Sequence, residues 1–142
     1  MIYIEETIGK HVKELANNMR EDDLTEAIEK YGMTGHKMLF DSCAYSDVCF
    51  SIYNDEKLIA IMGIVVNSAG NQLWMIFNKN IDGLPYSFYK KANTVIEELQ
   101  SVYGELYIMT NKKNIQIIKL AKMLGFSENI TCYEITCLTK SC

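Results

Sequence analysis

Apolar and polar residues alternate over Met1–Glu6, with Ile2 and Ile4 set against Tyr3 and Glu5, which predicts a short strand. The period then lengthens. Val12, Leu15, Ala16 and Met19 fall at helical spacing and predict a first helix. The charged run Arg20-Glu21-Asp22-Asp23 interrupts it, and Asp22 or Asp23 is placed to cap a second helix with an apolar face of Leu24, Ala27, Ile28 and Tyr31. Gly32 is the expected C′ residue of that helix, and Thr34 starts a third, short one through Met38, Leu39 and Phe40.

Val48–Tyr53, Leu58–Val66 and Gln72–Phe77 read as three strands, separated by the polar turns 54–57 and 67–71. Two hairpins in succession give an antiparallel meander. The loop NKNIDGLP leads into a long helix to about Tyr103, with Phe88, Ala92, Val95, Ile96, Leu99 and Val102 on one face. Gly104 ends it, Leu106–Met109 is a strand, and Asn114 caps a helix whose buried stripe is Ile117, Ile118, Ala121 and Leu124. Gly125 stops that helix, and Asn129–Leu138 is a final strand. The expected class is α/β (α+β): a mixed, mostly antiparallel sheet with helices on both faces.

Composition narrows the function classes. At 142 residues the length prior gives one domain, 1–142, with no repeat or linker. Apolar residues make up 49% and charged residues 23%, so a core forms without staples. A net charge of -4 argues against general nucleic-acid binding. No apolar run reaches the roughly 20 residues of a membrane span. The opening MIYIEETIGKHVKEL lacks a basic head before an apolar core, so no secretory leader is expected. The five cysteines, with no CxxC pair, read as reduced thiols of a cytoplasmic protein. Cys49, Cys132 and Cys137 are expected to be buried and inert on strands, and Cys142 to be a mobile terminal thiol. His11 and His36 have no Cys or acid at metal spacing, so no metal site is expected. No Gly-x-Ser-x-Gly elbow is present, although a Ser-His-Asp or Cys-His arrangement is not decided by sequence distance.

The element order and the ending NIQIIKLAKMLGF resemble the GNAT (Gcn5-related N-acetyltransferase) fold, with Asn114, Leu124, Gly125 and Phe126 at the matching positions. A closer resemblance is to a divergent GNAT-like family of short-tailed phages, internal virion or assembly proteins. It is carried by NMREDDLTEAIEKYG, WMIFNKNI and YGELYIMTNKKNIQIIKLAKMLGF, and specifically by Arg20, Asp23, Glu26, Gly32, Trp74, Asn111 and the 124–126 turn.

The resemblance implies acetyl-CoA as cofactor and indicates where to look for it. The family's [Arg/Gln]-x-x-Gly-x-[Gly/Ala] pyrophosphate loop is absent, because NKNIDGLPYSFYKK holds only Gly83, followed by Leu84 and the donor-free Pro85. Lys79, Lys90 and Lys91 lie nearby, either as anion contacts or as solvated surface lysines. Tyr86, Phe88 and Tyr89 either pack over that groove or form a protein contact. Backbone at Met75, Ile76 and Phe77 is the expected partner of the pantetheine arm, and Asn114 a further cofactor contact. The family's thiolate-protonating tyrosine falls on Ala121, and Tyr103, Tyr107 and Tyr133 do not have its spacing. No acid lies in the Gln72–Asn78 stretch where a general base is often found. Asp23 and Glu26 are the catalytic candidates, with Glu5 and Glu6 as further acids for an acceptor cleft; helix N-terminal stabilisation is the competing role for Asp23 and Glu26.

Three functions follow as expectations. One is a phage virion-assembly or internal-virion role with weak or lost acetyl-CoA chemistry, in the host cytoplasm or the particle, with virion or host proteins as partners. The second is an active N-acetyltransferase modifying a host protein or small amine. The third is a non-catalytic binder or inhibitor of a host protein.

Overall fold

Strands and helices follow one another in the order the hydrophobic pattern predicts, with one strand more at the end. The computed structural model describes residues 1–132 and 135–141; Tyr133 and Cys142 lie outside them. The elements are β1 (Ile2–Glu6), α1 (Gly9–Ala16), α2 (Glu21–Tyr31), α3 (Gly35–Tyr45), β2 (Val48–Asn54), β3 (Lys57–Asn67) and β4 (Gly70–Phe77). A 3-10 turn at Ile81–Gly83 precedes α4 (Tyr86–Tyr103), β5 (Leu106–Asn111), α5 (Ile115–Met123), β6 (Ser127–Cys132) and β7 (Ile135–Lys140). The seven strands run in the hydrogen-bonded order β1-β2-β3-β4-β5-β7-β6. Pairing is antiparallel at β1–β2, β2–β3, β5–β7 and β6–β7, and parallel at β4–β5. The class is therefore the expected mixed, mostly antiparallel α/β fold.

The chain divides into two compact units: Met1–Val65 with Met75–Gly83, and Val66–Trp74 with Leu84–Cys142. In the first, β3 is buried without interruption from Leu58 to Ile64. That is why its sequence is a continuous apolar run and not an alternation. The β2–β3 turn places Asp55 at φ 55, a left-handed conformation that Asp tolerates better than most side chains. α1 ends at Ala16, before Met19, which is buried outside the helix and forms an isolated antiparallel bridge with Asn78. The cap of α2 is Arg20. Asp22 and Asp23, expected at that cap, occupy the first turn with Glu21, where the helix dipole favours carboxylates. Gly32 closes α2 in the left-handed region at φ 63, and Thr34 caps α3 by accepting from the Lys37 amide. α3 is longer than expected and runs to Tyr45.

In the second unit, α4 buries Phe88, Ala92, Ile96 and Gln100. These positions are spaced by four and drift round the helix, so Val102, expected on this face, is 75% exposed. Gln100 is accommodated because its Nε2 donates to the Lys140 carbonyl at 2.9 Å. In α5 the buried stripe is Ile117, Leu120 and Ala121, followed by Leu124; Ile118 is only half-buried. Gly125 then turns the chain at φ 90, and the Phe126 amide reaches back to the Ala121 carbonyl at 3.0 Å. In place of the single last strand expected over Asn129–Leu138, two strands, β6 and β7, pair antiparallel, with Ser127 opposite Thr139 and Cys132 opposite Ile135.

Candidate functional site

The end of β4 is held by Asn78, in the first unit. Its amide donates to the Ile59 carbonyl at 3.0 Å, its Nδ2 donates to the Leu58 carbonyl at 3.0 Å, and its Oδ1 accepts from the Asn80 amide at 2.9 Å. The next amide, Lys79, donates to the Asn18 carbonyl at 2.9 Å. With the Met19–Asn78 bridge, this fastens the α1–α2 junction to the residues just past β4. Along the strand, Met75 and Phe77 are buried and Ile76 is half-buried. The Met75 and Phe77 side chains belong to the core, which leaves their backbone as the group for recognition. Glu14, Asn18, Asp55, Lys57, Asn78 and Lys79 line much of a polar cavity of about 600 Å³ beside this junction.

The same junction carries the acid predicted from sequence. Arg20 and Asp23 are both 4% exposed, and Arg20 Nε lies 3.3 Å from Asp23 Oδ2. Burial pushes the Asp23 carboxyl up to about 6. The Arg20 guanidinium opposes this without cancelling it, and the neighbouring Glu26 and Asp22 add to the rise. Glu26 is half-buried and lies 3.7 Å from Lys30 Nζ, one turn along α2. The structure thus brings Arg20, Asp23 and Glu26 together. A carboxyl poised near neutrality suits proton transfer.

A second polar cluster in this unit has no signal in the sequence. His11 is buried, with Nδ1 2.9 Å from Ser51 Oγ and 3.3 Å from the Ile8 amide that donates to it. Nδ1 is therefore an acceptor, which puts the ring proton on Nε2, 3.5 Å from Glu5 Oε2. Ser51 Oγ also bonds Thr7 Oγ1 at 2.8 Å. The partners are an acid, a histidine and a serine, but Ser51 is fully buried. The cluster ties β1, α1 and β2 together and offers no exposed nucleophile. Glu5 is thus engaged with His11, and Glu6 is exposed.

In the second unit, β4 and β5 run parallel, yet their ladder holds only two pairs, Asn71–Leu106 and Gln72–Tyr107. β5 continues to Asn111 in register with β7. Leu73 and Trp74 thus continue β4 past the last of these pairs. At α4 the cap is Pro85, with no side-chain cap bond, and Tyr86 is 81% exposed. Phe88 is fully buried and meets Tyr89 edge-to-face at 5.3 Å, so packing accounts for this aromatic pair. Lys90 and Lys91 are exposed on the early turns of α4. Asn114 is buried at the α5 N-cap, where its amide donates to the Asn111 carbonyl at 2.8 Å and its carbonyl accepts from Ile118 at 3.1 Å. Its observed backbone bonds are those of a helix start. Ala121 is fully buried, and the Tyr107 hydroxyl bonds Asn67. Among the described residues, no group of three or more His, Cys, Asp or Glu is arranged to hold a metal ion. No helix among them is long and apolar enough to cross a membrane.

No family model and no curated protein matches the sequence. Solved structures do match the fold. The PaiA N-acetyltransferase of Thermoplasma acidophilum, in complex with coenzyme A, superimposes with a TM-score of 0.72 at 14% identity, over 99% of both chains. The fold is the GNAT acetyltransferase fold. A GNAT-family acetyltransferase of Bacillus anthracis gives a TM-score of 0.70 at 8% identity, over 99% of this chain and 94% of that one. PH1933 of Pyrococcus horikoshii OT3 gives 0.72 at 16% identity, over 99% and 98%. The architecture is thus shared at identities that leave few side chains in common.

Proposed function

We propose that this chain binds an acyl-CoA and acts as an N-acyltransferase toward a primary amine of a small molecule or protein. The observation that carries the reading is the two-pair parallel ladder of β4 and β5 within a GNAT fold. An arm bearing amide groups pairs with β4 as an added strand would, through backbone at Met75, Ile76 and Phe77 and with no demand on side-chain identity. The coenzyme A complex of the Thermoplasma relative supports acetyl-CoA as the donor. The residues present fit the arm better than the pyrophosphate. No glycine-rich loop precedes α4, on which Lys90 and Lys91 are exposed. Asn114 fixes the start of α5 within the second unit.

The bound cofactor supplies an activated thioester carbonyl. Asp23 accepts the proton that the amine loses as it attacks, and Arg20 orients the Asp23 carboxylate. Glu26 adds negative potential that favours a cationic acceptor. Ala121 has no proton to give, so the thiol leaves as a thiolate. General-base assistance of this kind contributes ~10²–10⁴ in rate, and the missing acid makes the enzyme slow. The test is a thermal-shift titration with acetyl-CoA, with CoA and ATP as controls. Saturation near 100 times Kd stabilises by ~2.7 kcal/mol, which raises Tm by roughly 2–8 °C. A saturable rise with acetyl-CoA and none with ATP supports the proposal; no rise at millimolar cofactor overturns it.

Two features favour a second reading, in which the chemistry is lost and the chain serves in phage virion assembly or inside the particle, contacting virion or host proteins. They are Pro85 at the α4 cap and Ala121 at the tyrosine position. The resemblance through Arg20, Asp23, Glu26 and Trp74 points the same way. A chain that fails the acetyl-CoA titration and co-sediments with purified particles in stoichiometric amount supports this reading; its absence from particles contradicts it.

A further inference from the structure

The Cys43 and Cys49 sulfurs lie 2.9 Å apart, within hydrogen-bond reach of each other. Cys43 lies near the C-terminal end of α3, and Cys49 is the second residue of β2. Both are half-buried and free. The short connection between them is pinned. The Ser46 amide donates to the Cys43 carbonyl at 3.3 Å, Ser46 Oγ donates to the Ser42 carbonyl at 2.6 Å, and the Asp47 amide donates to the Ile64 carbonyl at 2.7 Å. Cys49 is itself held by the Thr7 amide, which donates to its carbonyl at 3.1 Å. Its partner across the β2–β3 ladder is Gly63, which presents no side chain beside the sulfur. Closing a disulfide needs the sulfurs to approach by only about 0.9 Å, to the ~2.04 Å of an S–S bond.

We propose that Cys43 and Cys49 form a reversible thiol–disulfide site that reacts with small disulfides. Cys49, expected to be buried on a strand, is on β2 but only half-buried. Cys49 is the attacking sulfur, because it lies in contact with Cys43 at 2.9 Å and the Thr7 hydroxyl also stabilises its thiolate. These hydrogen bonds lower the Cys49 thiol, while the same contact and burial raise Cys43. In the first step the Cys49 thiolate attacks one sulfur of the external disulfide and expels the other as a thiolate. Cys43 then loses its proton to solvent and attacks Cys49 Sγ, which forms the Cys43–Cys49 bond and expels the second thiolate. The two cysteines give up two electrons and two protons, and the external disulfide leaves as two thiols. The bond joins the end of α3 to β2. α3 packs against α1 and α2, so oxidation fastens the helical part of the first unit to its sheet. The site stands independently of the acyl-CoA reading.

The test uses the full-length reduced chain, incubated with oxidised glutathione, alkylated and mapped by mass spectrometry. The proposal predicts a Cys43–Cys49 link, lighter than the dithiol by two hydrogen atoms and reversed by dithiothreitol. In Cys43→Ser the reaction stops at a glutathione adduct on Cys49. In Cys49→Ser, adduct formation at Cys43 is at least about tenfold slower than at Cys49 in Cys43→Ser, because burial still raises the Cys43 thiol while the Thr7 hydroxyl still favours the Cys49 thiolate. In the reduced wild-type chain, which does not depend on the variants folding, iodoacetamide modifies Cys49 faster than Cys137, whose thiol is raised by burial. Recovery of Cys43 and Cys49 as separately alkylated thiols after glutathione treatment overturns the proposal, as does a link formed preferentially to another cysteine.

Discussion

Asp23 lies 3.3 Å from Arg20 in a pair that excludes nearly all solvent, yet its carboxyl sits at about 6 and not below its ordinary 3.8. Burial outweighs the guanidinium at this position. The folded state therefore holds a proton that the unfolded chain releases between pH 4 and 6. Wherever the folded state binds more protons, stability falls as pH rises. The contribution of Asp23 is fully present below about 3.8 and is lost as pH rises through about 6. At ~1.4 kcal/mol per pKa unit, the whole change is about 3 kcal/mol. Urea unfolding from pH 4 to 7 checks this: Asp23→Asn flattens the slope relative to wild type by that order. Arg20→Ala moves the Asp23 midpoint further up and, by stranding a buried carboxyl, costs about 3–5 kcal/mol above it.

Gly125 is a position where backbone conformation and close packing act together. Its φ is 90, and a Cβ there would stand 3.1 Å from Lys140 Cε and Nζ. Lys140 Nζ donates to the Leu124 carbonyl at 2.9 Å, so the side chain that would have to move is also satisfying the end of α5. Gly125→Ala is expected to lose roughly 1–2 kcal/mol from backbone strain alone. Denaturant midpoints with unchanged m-values would confirm a native-state effect.

The two sides of α4 make a paired prediction. Ile96 is 1% exposed and Val102 is 75% exposed, although both look equally apolar in the sequence. Ile96→Ala is expected to cost about 2–5 kcal/mol, and Val102→Ala to stay within about 0.5 kcal/mol. Similar losses at the two sites would contradict the observed helix face.

What the sequence made legible followed from period and punctuation. The β2–β3–β4 meander, α4, α5 and the Gly32 and Gly125 stops are all written in spacing and glycine placement. The Arg20–Asp23–Glu26 grouping was legible because helical spacing puts the three within about two turns. The division into β6 and β7 was not, since the two strands read as one continuous apolar and β-branched run. Gln100 was invisible as a core residue because its burial depends on a carbonyl forty residues away. The His11–Ser51 bond and the Cys43–Cys49 contact depend on how α1 and α3 meet β2, which single-chain periodicity does not encode. Asn114 was legible as the cap of α5, because it stands directly before the apolar stripe of that helix.

The central claim is that β4 takes an acyl-CoA along its backbone. Hydrogen–deuterium exchange with and without saturating acetyl-CoA measures this most directly, because it reads amides and not side chains. The prediction is slowed exchange in peptides covering Leu73–Phe77, with β1 and β2 unchanged. Exchange over Leu73–Phe77 that is identical with and without cofactor would contradict the account.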